Sequence, residues 1–400
     1  MKILIAHQWL VAGGVEKILT NYLKLMVKLG HQVDLLLTHD LGAENFFTDQ
    51  IPTSVSYRFV FDSAYNRRKA DCKKQRKNSI LNRVRYEYLR LIEQYRYWRT
   101  LRQTLTTGHY DIVIDFNESL DYIMRLPKPL RPKLPPSIRW VHNQLNGCHS
   151  KLTPKQIHKY RIIFQRHNRV VVLCRQMAEL MGEQLNWKPE RFHILPNPLD
   201  IEEITAQMEK SGNLTKQLLQ TPYLLQVSRF EPQKCHQRLI EIYATLKQYG
   251  IKHKLYLIGD GSLKPQLETQ IRRLGLEHDC LLLGQCHNPY PFFKHAALFV
   301  HTASFEGLPT VLLESMACGT PVVAMDCPTG PRDILGRGSE YGCLIAMYQQ
   351  QQFVEAVSTL LTDPTRYAHY VEAGRKRAQD FSIQSITTQL QKLLQETVSA

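Results

Sequence analysis

The stretch MKILIAHQWLVAGGVEKILTNYLKLMVKLGHQVDLLL, residues 1–37, decides the fold. Ile3-Leu4-Ile5-Ala6 is a short apolar run bounded by polar residues, as a buried strand requires. Gly13-Gly14 opens a helical pattern in which Val15, Ile18, Leu19, Tyr22, Leu25, Met26 and Leu29 recur every three or four residues. Gly30 is placed to stop that helix, and His31–Leu37 reads as a second strand. Strand, helix, strand within so few residues is a βαβ unit, which implies a parallel sheet.

The same grammar continues outward. Asp111–Asp115, Ser137–His142, Arg169–Leu173 and Phe192–Leu195 are strand candidates, and the last runs into Pro196-Asn197-Pro198, read as a hinge. Beyond it Tyr223–Val227, Lys254–Ile258, Cys280–Leu283, Leu298–Val300, Pro321–Ala324 and Gly342–Leu344 alternate with helical patterns. The expected fold class is therefore α/β, two Rossmann-like domains facing a cleft. The halves are 1–195 and 196–382, and 383–400 is a C-terminal helix expected to pack back toward the first domain. In open parallel sheets ligands sit beyond the carboxyl ends of the strands, so two such sheets place their sites across one cleft.

Composition excludes several classes. With 400 residues, 43% hydrophobic and 22% charged, the chain can bury more than one core. The N-terminus lacks the features of a secretory signal, and no apolar run approaches 18 residues, so a cytoplasmic protein without a membrane span is expected. Nine cysteines, including Cys148, show no C-x-x-C spacing and read as reduced thiols. There is no H-E-x-x-H and no Asp-x-Asp, so no metal site is expected.

The net charge of +15 is concentrated. Between Arg67 and Arg102 there are 13 Lys/Arg against Asp71, Glu87 and Glu93. The periodicity predicts a long basic helix over 67–105 with Leu81, Val84, Tyr88, Leu91, Tyr95, Trp98 and Leu105 as its apolar positions. An anionic membrane surface is the expected partner of 67–102, against the alternative of a core helix with a solvated basic face. No nucleic-acid module is recognisable.

The window Ser304–Val323 carries the chemistry. A strand ends at His301, and a helix is expected to begin at Pro309, which suits a first helical position. Its free amides and dipole would face a phosphate at the cleft. Glu306 precedes the helix and Glu314 lies inside it, so two carboxylates flank the N-terminus and can hold hydroxyls. Taken alone, two such glutamates would more often be a local cap and a solvated side chain.

The window, with Glu306 and Glu314 in E-x7-E, resembles the signature of the large retaining glycosyltransferase family 4, of the two-domain GT-B type. Further stretches are similar to that family in the same order. Val227–Lys234 resembles its Arg and Lys pair, Gly259-Asp260-Gly261 its glycine turn, and Gly284–Tyr290 its base-contacting loop. Leu195–Asp200 resembles its hinge, with Pro198 where Gly is common, and Gly13-Gly14-Val15-Glu16 its N-terminal loop. Lys234 is followed by Cys235 where the family prefers Gly.

The resemblance implies a nucleotide-sugar donor, most often a UDP-sugar, held by Gly13, Gly14, Arg229, Lys234, Gly259, His287, Asn288, Glu306, Gly307, Leu308, Pro309, Thr310 and Glu314. It implies that Arg229 and Lys234 stabilise the diphosphate leaving group, Glu306 meets the transferred sugar, Glu314 the ribose, and His142 the sugar from the first domain. No cofactor or metal is expected. Asn117, Glu118 and Asp121 are candidates to touch a glycan or lipid-linked acceptor. Cys327–Asp333 resembles bacterial members acting on surface polysaccharide or lipopolysaccharide, at the inner face of the cytoplasmic membrane. The competing classes are a nucleotide-sugar epimerase of the same twin-Rossmann build and a non-catalytic protein binding anionic surfaces.

Overall fold

A computed structural model describes residues 1–11, 13–77, 79–145, 151–210, 212 and 217–399. Cys148, position 78 of the expected basic helix and position 400 of the expected C-terminal helix lie outside the described residues.

The first sheet contains β1 (Lys2–His7), β2 (Gln32–His39), β3 (Ser56–Phe61), β4 (Ile112–Asp115), β5 (Ser137–Val141), β6 (Arg169–Val172) and β7 (His193–Ile194). Their order is β3-β2-β1-β4-β5-β6-β7, all parallel. The second contains β8 (Tyr223–Val227), β9 (Lys254–Ile258), β10 (Cys280–Gly284), β11 (Leu298–His301), β12 (Val322–Met325) and β13 (Cys343–Ile345), in the order β10-β9-β8-β11-β12-β13, also parallel. Strand order reverses between β1 and β4 and again between β8 and β11. Those switch points open crevices at the carboxyl edges of both sheets.

The strands are near-continuous apolar runs because helices cover both faces of each sheet. The helix Gly14–Lys28 buries Ile18, Leu19, Tyr22, Leu25 and Met26 against the first sheet, and Gly30 at φ 76° closes its end. Strand β3 escapes the sequence reading: its pattern Ser-Tyr-Arg leaves the first three residues exposed at the sheet edge.

The chain crosses between the sheets twice. Leu199 donates its amide to Phe381, and Ile383 donates back to Leu199, so the Pro196–Pro198 segment and the second crossing run side by side. The helix Ile383–Val398 then buries Ile386, Leu390, Leu393 and Leu394 in the same apolar cluster as Ile3, Ile5 and Ile114.

The expected single basic helix is two. Ser63–Gln75 and Ile80–Gly108 pack together as a hairpin, tied by Tyr65 to the Leu89 carbonyl and by Lys69 to Glu93. Ser79 caps the second helix by accepting from the Asn82 amide, a start signal that the charge run obscured. Among the described residues no helix is long and apolar enough to cross a membrane. The eight described cysteines are unpaired, and Cys174, Cys280, Cys318, Cys327 and Cys343 are buried.

Candidate active site

A cavity of about 340 Å³ opens between the two switch points. It brings together Gly13, Gly14 and His142 of the first half with Arg229, Lys234, Gly259, Glu306, Gly307, Leu308, Pro309 and Thr310 of the second. Glu314 lines an adjoining cavity of about 180 Å³ that shares Gly14, Ile18, Thr310 and Val311 with the first.

Arg229 lies two residues past the end of β8, is exposed, and has no carboxylate partner among the described residues. Lys234 ends the short 3-10 turn Pro232–Lys234. The next residue, Cys235, sits at φ 51° and ψ 40°. That is the left-handed region, where a glycine costs nothing and a side chain costs roughly 1 kcal/mol, so the fold accounts for the family's preference for glycine and nothing in the structure accounts for Cys235. The turn is stitched to the 302–304 loop: Ser304 donates its amide to the Gln233 carbonyl, and the Thr302 hydroxyl donates to the Cys235 carbonyl.

That stitching delivers Lys234 to Glu306. Lys234 Nζ lies 2.5 Å from Glu306 Oε1 across 72 residues of sequence, and His301 Nε2 lies 3.1 Å from the same oxygen. The expectation of a solvated Glu306 for an isolated glutamate does not apply, because the side chain is buried. Burial alone would raise its carboxyl, but Lys234 and the His301 hydrogen bond outweigh that and hold it down at about 2. Glu306 is therefore an anion throughout the physiological range. His301 has no place in the sequence argument beyond marking a strand end. Its signal was a polar residue closing the apolar run Leu298-Phe299-Val300.

The helix after this loop spans Thr310–Cys318, so Pro309 is its N-cap rather than its first helical residue. No side chain caps it, which leaves its first amides facing the cavity. Gly307 is required by packing. A side chain there would run into the His142 carbonyl of the opposite half. Gly259, at φ 145°, likewise has no room for a side chain against the Ser228 carbonyl.

His142 closes the cavity from the end of β5 and rests on the Phe116 ring. Burial, assisted by neighbouring His7, lowers its imidazole to about 3. It is neutral at any working pH, so it can exchange hydrogen bonds with a hydroxyl but cannot contribute a positive charge.

Two expected base-contacting residues are not brought to the cavity. His287 stacks on Phe46 of the first half, with ring centroids 5.3 Å apart, and the Asn288 amide donates to the carbonyls of Gln207 and Lys210. Their neighbours Gln285 and Cys286 line the cavity instead. Asn117, Glu118 and Asp121 are also absent from its lining. Glu118 and Asp121 belong to an ion cluster around buried Arg139, which lies 2.6 Å from Asp115.

Burial is the largest influence on Glu314 and raises its carboxyl to about 7, against the opposing pull of Lys17 and the Thr310 hydroxyl. A carboxyl raised in this way subtracts stability as pH climbs from the ordinary carboxylate value toward 7. The ribose role that the resemblance implies for Glu314 needs the ionised carboxylate, so nucleotide binding is expected to strengthen over the same upper window. UDP affinity measured by calorimetry is expected to fall by about tenfold from pH 8 to pH 6. Glu314→Gln should flatten that dependence.

Twin parallel sheets, each with a switch point facing a shared cationic cavity, and an uncapped helix N-terminus at the wall of that cavity are the architecture of the GT-B fold. Comparison with known proteins agrees. Residues 12–203 match the family described as Glycosyltransferase Family 4, and residues 212–377 match Glycosyl transferases group 1. The chain belongs to this family of two-domain glycosyltransferases.

A Campylobacter jejuni relative is 25% identical over 378 residues, covering 92% of this chain and 93% of its own. It is named N-acetylgalactosamine-N,N'-diacetylbacillosaminyl-diphospho-undecaprenol 4-alpha-N-acetylgalactosaminyltransferase. A second from the same organism, an alpha-1,4-N-acetyl-D-galactosaminyltransferase whose name also includes PP-undecaprenol, is 22% identical and covers both chains fully. The crystal structure of Anabaena HepE in complex with UDP superposes with a TM-score of 0.73 at 21% identity, covering 99% of this chain and 100% of that one.

Proposed function

We propose that this enzyme transfers a sugar, with retention of anomeric configuration, from a UDP-sugar to a lipid-linked or lipopolysaccharide or capsule oligosaccharide, without a metal ion. The observation that carries the proposal is the convergence of Arg229, Lys234 and the uncapped Thr310 helix on the cavity that also holds Glu306. Cleavage of a sugar–diphosphate bond leaves about two negative charges on the nucleotide, and fixed cations and dipoles aimed at that charge lower the barrier. Arg229 is free to receive a phosphate oxygen. Lys234 stands between Glu306 and the diphosphate, so it can serve both.

In this reading Glu306 accepts from hydroxyls of the transferred sugar, and the cation and histidine beside it keep it ionised. Neutral His142 donates to the same sugar from the opposite wall. Glu314 takes the ribose. Gly13 and Gly14 approach the donor with the amides that open the first helix, which no side chain caps. The acceptor enters along the first half, 1–195, and the donor is held by 196–382. The acceptor class is supported by the names of the Campylobacter relatives, and UDP by the HepE complex.

The helix Ile80–Gly108 supports work at a membrane surface on the cytoplasmic side. Leu81, Val84, Tyr88, Leu91 and Tyr95, spaced three and four apart, form a stripe that faces solvent, Tyr88 exposing 63% and Leu91 59% of its surface. Arg83, Arg85, Arg90 and Arg99 are exposed on the same helix. An apolar stripe flanked by arginines fits the boundary of an anionic bilayer, where each basic residue contributes roughly 1 kcal/mol.

The test uses radiolabelled UDP-sugars in EDTA, with vesicles of anionic or neutral phospholipid carrying extracted lipid-linked acceptor. Label is expected in the lipid phase, with faster transfer on anionic vesicles. Leu81→Ser/Leu91→Ser should lower vesicle binding by about a hundredfold or more, from the loss of two apolar side chains that the bilayer would bury. An absolute requirement for added divalent metal, or consumption of donor with no acceptor, would overturn the reading.

A further inference from the structure

The carboxylate of Glu306 is fixed within its own half by Lys234 and His301. Its backbone is fixed from elsewhere. The Thr329 hydroxyl donates to the Glu306 carbonyl oxygen. That hydroxyl has one proton, so toward its other neighbour it can only accept. The neighbour is Gln144 of the first half, whose Nε2 lies 3.0 Å from Thr329 Oγ1 and also donates to the Pro328 carbonyl. Donors and acceptors thus run in one direction, from Gln144 through Thr329 to Glu306.

All of these groups are enclosed. Gln144 is buried, Thr329 is 1% exposed, and Glu306 is buried. Thr329 is held at φ 85°, a conformation in which a β-branched residue persists only when its surroundings impose it. The next residue, Gly330 at φ 97°, has no room for a side chain against Pro309. The 328–330 loop therefore cups the segment from Glu306 to Pro309 that leads into the Thr310 helix.

Gln144 stands two residues beyond His142, whose carbonyl abuts Gly307. One strand end of the first half thus touches the Glu306–Gly307 segment directly and, through Thr329, indirectly. Separating the two halves would remove both contacts at once and leave Thr329 without its donor.

We propose that Gln144 and Thr329 are positioning residues that couple closure of the two domains to the placement of Glu306 and of the Thr310 helix N-terminus. The proposal rests on the sugar-binding role given to Glu306 above. The transferred sugar then meets a correctly set carboxylate only when the acceptor-bearing half is docked, which discourages loss of the donor to water in the open enzyme.

The test compares wild-type enzyme with Thr329→Val, Thr329→Ser and Gln144→Met. Three measurements are made: transfer kcat, UDP affinity by calorimetry, and amide hydrogen exchange across 304–310 in nucleotide-free protein. Thr329→Val and Gln144→Met should lower kcat by about ten- to a hundredfold, as small misplacements of a catalytic group do, with UDP affinity within about threefold. Both should speed exchange across 304–310, and Thr329→Ser, which keeps the hydroxyl, should restore both readouts. Unchanged kcat and exchange in Thr329→Val would overturn the proposal, as would Thr329→Ser falling as far as Thr329→Val. If no UDP-sugar is turned over by wild type, yet exchange follows the expected pattern, the coupling stands and the proposed function fails instead.

Discussion

Replacing Lys234 with alanine is expected to lower turnover by about a hundred- to a thousandfold, the usual loss when one fixed electrostatic group leaves a developing anion. The same change should destabilise the protein by roughly 3–5 kcal/mol, because it strands a buried carboxylate without its partner. Glu306 is held 2.5 Å from Lys234, and only His301 would remain beside it. Its carboxyl should shift upward accordingly and become a weaker acid. In wild type, the depressed carboxyl contributes stability that is complete above the ordinary carboxylate range and is lost as pH falls toward 2. Lys234→Ala should surrender most of that acid dependence. The double variant Lys234→Ala/Glu306→Gln separates the two roles: thermal unfolding should return toward wild type, while turnover should not.

Glu306→Gln is expected to reduce transfer by about a hundred- to a thousandfold while leaving UDP affinity within about threefold. Glutamine has nearly the same shape, so the 304–309 loop should survive. It cannot present a full negative charge to sugar hydroxyls or to the electron-poor carbon that develops as the bond to phosphate breaks. Lys234, released from its ion pair, remains able to meet the diphosphate. Steady-state kinetics with calorimetric titration distinguishes this from Lys234→Ala, which should weaken both turnover and nucleotide binding.

The parts of this molecule legible in sequence are those written locally. Parallel strands buried on both faces appear as apolar runs, and several helices between them carry their own stop, as Gly30 and Gly319 do at φ 76° and 84°. Strand β3 was hidden because an edge strand with Arg58 and Tyr57 facing out lacks that run. The basic hairpin was read as one helix because charge and aromatic spacing continue across the break, and only Ser79 marks the new start.

The site was legible as a set of motifs, but its pairings were not. Nothing local to Glu306 announces Lys234, 72 residues earlier, or says that the pair excludes solvent. His301, Gln144 and Thr329 have meaning only once two loops, or two domains, are docked. His287 and Asn288 sit in a recognisable loop, yet a stack on Phe46 and bonds to the Gln207 and Lys210 carbonyls direct them elsewhere. Side-chain direction within a loop follows from its tertiary neighbours, which spacing does not encode.

The most direct test of the central claim is calorimetric titration, in EDTA, of the best-bound of UDP, GDP and ADP, and of its parent nucleoside, into wild type, Arg229→Ala and Lys234→Ala. The account predicts that each variant loses about tenfold or more in affinity for the diphosphate, as removal of a charge-assisted contact entails, with nucleoside binding unchanged. Equal affinity of wild type for nucleotide and nucleoside, or undiminished diphosphate binding in both variants, would contradict it.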